Sequence, residues 1–212
     1  MITPTARYTL HMELFDTHCH IDVEDFDADR RQVLQAARAA GVSDLLVPAV
    51  QRSTWPALIA LCEQDSQLHL ALGMHPVYLD RHRAQDTESL AEQVAAAQPV
   101  AIGEIGLDYY YDHADRAVQR TVFERQLQLA ADLDMPVVIH TREADEDTRD
   151  ILRAFSPLLR RKGVLHSFTS GLPLAEYCLS EGFMLGFNGI ATFNRADNVR
   201  EVICATPLEQ IL

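Results

Sequence analysis

Residues 15 to 22 read Phe15-Asp16-Thr17-His18-Cys19-His20-Ile21-Asp22. Phe15, Thr17, Cys19 and Ile21 alternate with Asp16, His18, His20 and Asp22, the period-two pattern of a β-strand. On such a strand both imidazoles project from one face and Cys19 from the other. Neutral imidazole is the commonest nitrogen ligand of divalent metals, so histidines at i and i+2 near a strand end make a well-spaced ligand pair. Two idle histidines in a half-buried strand fit the same pattern, and this stretch alone leaves both readings open. The rest of the chain decides between them.

Working outward, Val33, Leu34, Ala37 and Ala40 recur at helical spacing and predict a helix over 27–40, with Gly41 as its stop. An apolar strand without polar alternation follows over 44–50. Ser53 can cap a helix that runs to Gln64 and turns Trp55, Leu58, Leu61 and Cys62 inward. The pattern then repeats: strands over 68–74, 99–105, 136–141, 163–168 and 183–187, and helices over 86–97, 114–134, 147–155, 174–181 and 198–205. In the long helix over 114–134, Val118, Val122, Leu127 and Leu129 are among the apolar positions. Apolar strands buried on both faces and separated by helices are the mark of parallel βαβ units. Seven such pairs without a linker predict one (β/α)8 TIM barrel rather than a doubly wound sheet. Residues 14–212 form that barrel and residues 1–13 a loose tail, in which Met12 offers an alternative start.

Composition narrows the class. The chain has 212 residues, of which 48% are hydrophobic, enough apolar material for a core. A formal net charge of -13 argues against a broad electrostatic surface for nucleic acid but leaves room for a local basic cleft. The longest apolar runs, such as Leu45 to Val50 and Pro136 to Ile139, are strand-sized, far short of the roughly 20 residues of a membrane span. Residues 1–13 carry no signal-peptide core. Cysteines at 19, 62, 178 and 204 form no C-x-x-C pair, which fits a reducing cytoplasm. A cytoplasmic monomer without a stable protein partner is the expectation.

In a TIM barrel the chemistry lies at the carboxyl ends of the strands. Strand one ends with His18 and His20, strand three with His75 in Gly-Met-His-Pro, and strand four with Glu104 in Gly-Glu-Ile-Gly-Leu-Asp-Tyr-Tyr. Strand five ends with His140 and Arg142, and strand six with His166. Five of the nine histidines thus fall at strand ends, too many for a scatter of core histidines. His11, His69, His82 and His113 read as tail, strand-start or loop residues. His18 and His20, a bridging Glu104, and His140 with His166 would hold two divalent ions, which activate a shared water and clamp the attacking and leaving oxygens of a displacement. Imidazole-rich sites suit Zn, Mn or Co better than Mg. His75 is placed to reach a substrate phosphate or the leaving oxygen, or else simply turns the chain beside Pro76. Arg142 can grip phosphate through its fork, or pair with Glu143 or Asp145. Asp108 suits a hydrogen-bond acceptor behind a ligand. Tyr109, Tyr110 and Tyr111 read as a packed loop, with base stacking as the alternative.

These motifs, in this order, resemble the TatD family of metal-dependent deoxyribonucleases among the amidohydrolase-type barrels, over nearly the whole chain. Phe-Asp-Thr-His-Cys-His at 15–20, Gly-Met-His-Pro at 73–76, Gly-Glu-Ile-Gly-Leu-Asp-Tyr at 103–109, Val-Ile-His-Thr-Arg at 138–142 and Leu-His-Ser-Phe-Thr at 165–169 carry the resemblance. It implies His18 and His20 on one metal, Glu104 bridging, His140 and His166 on the other, and hydrolysis of phosphodiester bonds in DNA. Two departures stand out. Ser170 precedes Gly171 where the family has Gly directly, and the chain ends at Leu208-Glu209-Gln210-Ile211-Leu212, where the family continues into an eighth strand and a Thr-Asp-x-Pro motif. The barrel is therefore expected to be incomplete at its eighth strand and terminal helices. Alternatives to a deoxyribonuclease are a catalytically impaired metal-binding remnant and a hydrolase of a small phosphoester, amide or lactone.

Overall fold

The structure, a computed structural model, describes residues 13–81, 86–111 and 114–212. The expected tail, apart from its last residue, and His11, Met12, His82 and His113 lie outside the described residues. Seven strands form a single parallel sheet in sequence order: β1 (Leu14–Asp16), β2 (Val42–Pro48), β3 (Leu68–Leu72), β4 (Ala101–Asp108), β5 (Val137–Arg142), β6 (Gly163–Leu165) and β7 (Met184–Leu185). Helices α1 (Arg30–Ala39), α2 (Trp55–Glu63), α3 (Asp86–Ala97), α4 (Arg116–Asp132), α5 (Asp145–Phe155), α6 (Leu172–Ser180) and α7 (Asp197–Ala205) alternate with them. The sheet curls into part of a barrel. A parallel bridge from Leu185 to Ile211 carries the ladder one rung beyond β7, with the Leu212 N–H donating to the Leu185 carbonyl at 2.9 Å. Among the described residues no helix is long and apolar enough to cross a membrane.

Two apolar layers explain the curl. Leu45, Val47, Leu70, Leu72, Ile102, Ile105, Ile139 and Leu165 face outward and pack against helix residues such as Leu34, Leu58, Phe123, Ile151 and Leu174. Leu46, Ala71, Ala101, Val138 and Val164, one from each of β2 to β6, form a second cluster on the concave face. Strands buried on both sides need no alternation, which is why these segments read as unbroken apolar runs.

The opening stretch departs from its sequence reading. The strand ends at Asp16, and Phe15 is 50% exposed rather than half-buried. The reason is local: the Asp16 side chain accepts the His18 N–H at 3.1 Å, an Asp-built turn that competes with the sheet ladder. Past Asp16 the chain stays beside β2 through the Cys19 N–H, donated to the Leu46 carbonyl at 3.0 Å, and through a hydrogen bond between His20 and the Pro48 backbone. His18 and His20 therefore leave the strand end on an irregular segment, anchored below by Ile21, which is fully buried.

Helix α4 also corrects its prediction. Val118 is largely exposed, and the buried face consists of Phe123, Leu127 and Ala130 together with two glutamines, Gln119 and Gln126. The Gln119 side chain accepts the Asp108 N–H at 2.8 Å and donates to the Asp108 carbonyl at 2.9 Å. Gln126 does the same for Met74, at 2.8 and 3.2 Å. Each amide satisfies both backbone groups of a residue at or just past a strand end, which makes its burial tolerable.

Candidate metal centre

Five of the histidines gather around Glu104, whereas Arg142 lies against the tyrosines that follow β4. The β4–β5 register pairs Gly103 with Val138 and then Ile105 with Ile139, so Glu104 is the extra residue of a bulge. Such a bulge re-aims a side chain beside an active site. Next to it, Gly106 has φ +137, and a Cβ there would lie 1.9 Å from the His140 carbonyl oxygen; only glycine lets β4 and β5 close up at this point.

Glu104 is 1% exposed, and five imidazoles surround its carboxylate. The Oε2 atom lies 3.2 Å from His18 Nε2 and 3.4 Å from His20 Nε2, and those two nitrogens are 3.1 Å apart. Across the carboxylate, Oε1 lies 3.2 Å from His140 Nδ1 and 2.5 Å from His166 Nε2, with 3.4 Å between the two nitrogens. Metal–nitrogen bonds of about 2.0–2.1 Å in a tetrahedral site imply ligand–ligand edges of roughly 3.3–3.4 Å. The first triangle's edges, 3.2, 3.4 and 3.1 Å, come within about 0.3 Å of that, and the second matches it with two edges, 3.2 and 3.4 Å, while its third, 2.5 Å, is too short for two ligands of one ion. A donor set of imidazoles and a carboxylate could hold a divalent metal ion. The rings themselves are stacked in register: His18 lies over His166, 3.7 Å between centres and 4° from parallel.

His75 joins the same cluster, its Nε2 3.2 Å from Glu104 Oε1. Its Nδ1 accepts the Val77 N–H at 3.1 Å, which leaves the ring proton on Nε2. His75 is thus a neutral donor aimed into the centre. Of the outer ring nitrogens, His140 Nε2 is held by Asp108 Oδ2 at 2.9 Å, whereas the buried Nδ1 atoms of His18 and His166 take no partner among the described residues. His69 belongs elsewhere, paired with Asp44 at 2.8 Å and stacked on Phe15.

Electrostatics agree with the ligand chemistry. Burial alone would raise the Glu104 pKa, but His166, His75 and the His140 hydrogen bond hold it well below the usual carboxylate range. Burial pushes His166 down to about 4 despite Glu104, and lowers His75 as well. For His140 burial is outweighed by hydrogen bonds to Asp108 and Glu104, which push it up to about 9. The ionised Glu104 carboxylate and the lowered His166 and His75 are in the form that a divalent ion binds, whereas His140 and His20 are raised and have to give up a proton as an ion enters.

Arg142 has neither of the ion pairs that its sequence neighbours suggested. Its guanidinium lies over the Tyr110 ring, 3.7 Å from the centre. Sequence reading missed a third group. The Tyr109 hydroxyl donates to Asp147 at 2.5 Å, Arg120 also pairs with Asp147, and Arg116 covers the Tyr109 ring at 4.3 Å. These residues come from three elements and carry no common spacing, so no linear pattern announces them. The extra Ser170 is accommodated: its hydroxyl donates to Asp145 at 2.6 Å, and Gly171 then starts α6.

A family model described as TatD related DNase matches residues 15–212. The chain belongs to the TatD family. Within it, the uncharacterized metal-dependent hydrolase YjjV of Escherichia coli is 36% identical over 199 residues, covering 93% of this chain and 76% of that protein. Its crystal structure superposes with a TM-score of 0.88 over the same shares. YabD of Bacillus subtilis, likewise named an uncharacterized metal-dependent hydrolase, is 34% identical over 94% of this chain and 78% of its own length. A relative from Erwinia tasmaniensis named 3'-5' ssDNA/RNA exonuclease TatD is 33% identical over 94% of this chain and 77% of that protein. The barrel and the metal-dependent hydrolase class expected from the sequence are those of this TatD group.

Proposed function

We propose that this TatD hydrolase cleaves phosphodiester bonds of DNA with two divalent ions. His18, His20 and Glu104 Oε2 would hold one ion, and His140, His166 and Glu104 Oε1 the other. The observation that carries the reading is the division of the Glu104 carboxylate, each oxygen facing its own pair of imidazoles. When bound, two such ions make hydroxide from water at neutral pH and neutralise charge on the phosphoryl oxygens.

The chain's own residues supply the rest. Arg142 ends β5, and its fork binds the non-bridging phosphate oxygens. His75 keeps its proton on Nε2 and donates it as a hydrogen bond to a phosphate or leaving oxygen. Glu104 is buried and ionised, and stays so because His166, His75 and His140 offset the cost of its charge. The likeness to the Erwinia relative named as a 3'-5' ssDNA/RNA exonuclease supports a polynucleotide as substrate.

The test is release of nucleotides from single-stranded DNA by the Mn- or Zn-loaded protein, with small phosphodiesters, amides and lactones run alongside. Glu104→Ala is expected to lose metal, read by elemental analysis of the dialysed protein, and to lower turnover on the order of 1000-fold. Turnover at the wild-type level in Glu104→Ala would sink the bridging assignment. Faster turnover of a small ester than of DNA would replace the substrate.

A further inference from the structure

Beside the metal centre lies an aromatic surface of which the mechanism above uses only the arginine. The Arg142 guanidinium carbon is 3.7 Å from the centre of the Tyr110 ring and 5.2 Å from that of Tyr111. The two rings meet edge to face, 4.9 Å apart at 89°. Tyr110 is 53% exposed and Tyr111 43%, a large aromatic area to leave in water. Among the described residues Arg142 makes no ion pair, and its N–H groups reach no acceptor.

The surface is also fixed relative to the centre. Asp108 Oδ1 accepts the backbone N–H of Tyr110 at 3.0 Å and of Tyr111 at 3.2 Å, while Oδ2 of the same carboxylate holds His140. The Tyr109 N–H extends the β4–β5 ladder to the Arg142 carbonyl at 2.9 Å. One side chain therefore ties the tyrosines to a proposed metal ligand, and one backbone bond ties their loop to the arginine beneath them. A loop with only a packing role would not need to leave the Tyr110 ring 53% exposed.

We propose that Tyr110 and Arg142 form a platform for one unpaired nucleobase and the phosphate beside it. The proposal rests on the phosphodiesterase reading for its place next to the cleaved bond. A tyrosine face accepts any base, so the contact selects for an unstacked, single-stranded nucleotide rather than for a sequence. A guanidinium stacked on that ring keeps its in-plane N–H groups for phosphate. The neighbouring cavity of about 680 Å³ is lined by Tyr109, Arg116 and Arg142 but also by Glu143, Asp145, Glu146 and Asp147, carboxylates that repel a second phosphate and limit the contact to the nucleotide at Arg142. With a net charge of -13 the protein offers no long phosphate track, so a contact with a single nucleotide suits it.

The experiment is fluorescence anisotropy on the full chain in excess chelator, where nothing is hydrolysed. The probes are a labelled oligothymidylate and a strand of equal length built from abasic tetrahydrofuran units. The wild type is expected to prefer the base-bearing strand about tenfold. Tyr110→Ala is expected to abolish that preference, and Tyr110→Phe, which keeps the ring, to retain it. No preference in the wild type, a preference that survives Tyr110→Ala, or no binding of either strand would overturn the platform. Because the readout needs no turnover, a protein that shows the preference yet cleaves no DNA would refute the hydrolysis reading and leave the platform standing.

Discussion

Asp108 serves two masters with its two oxygens, one on His140 Nε2 and the other on the tyrosine amides. Burial raises its pKa, but the His140 bond and those amides together bring it below the usual range. As an acceptor on Nε2 it orients the ring so that Nδ1 points at Glu104, the arrangement that raises a ligand's basicity. Asp108→Asn puts an amide where a charge stood, and the affinity for Mn or Zn is expected to fall about 10- to 100-fold, measured by competition with a coloured chelator. An unchanged affinity would mean that His140 is held well enough by packing. At this scale the sequence was readable where a polar residue follows an apolar run: His75, Glu104, His140 and His166 each stand out in that way. Gln119 and Gln126 did not, because a glutamine on a helix is ordinarily a solvent-facing residue and only three-dimensional neighbours reveal that it is buried.

Among the elements, order and type were legible and edges were not. Apolar runs without alternation announced β2 to β6 because burial on both faces leaves no other composition. The limits of β1 depended on an Asp16 side-chain bond, which outweighed the alternation that had suggested a strand to residue 22. The clamp between β4, α4 and α5 belongs to this scale too. Asp147 of α5 is lowered by its bonds to Tyr109 and Arg120, and Tyr109 is pushed up to about 12, first by burial and then by Asp147. A lowered folded pKa means that the contribution is present above the unfolded value of about 3.9 and is lost as pH falls below that value and through the folded pKa. Asp147→Asn should therefore lower the urea midpoint at pH 7 by an amount worth less than about 1 kcal/mol, given the partial exposure of the pair. The gap between the two proteins should close toward pH 3. A gap that stayed constant across that range would assign the effect to something other than the carboxylate charge.

For the molecule as a whole, the proposed ligands come from the segments just past β1 and β6 and from within β4 and β5, rather than from the ends of all four strands, and these are far apart in the chain. An ion bound to them stabilises only the folded arrangement. At a concentration 100-fold above its Kd it adds about 2.7 kcal/mol, which for a chain of this size is a rise in Tm of roughly 5–10 °C over the chelated protein. Calorimetry with and without chelator measures it, and an unchanged Tm would exclude a preformed centre. The barrel class was legible because seven strand and helix pairs admit few other architectures, and the two apolar faces of the sheet then followed.

The glutamine pair of α4 has one more consequence. Gln119 clasps the last residue of β4 and Gln126 the residue before His75, and the two are seven positions apart on one rigid helix. Two turns of helix amount to about 10.5 Å along the axis. Helix α4 is in effect a gauge block laid between two loops of the centre. Their separation is set by helical arithmetic, so each loop can drift in sequence while the gap between them keeps its width.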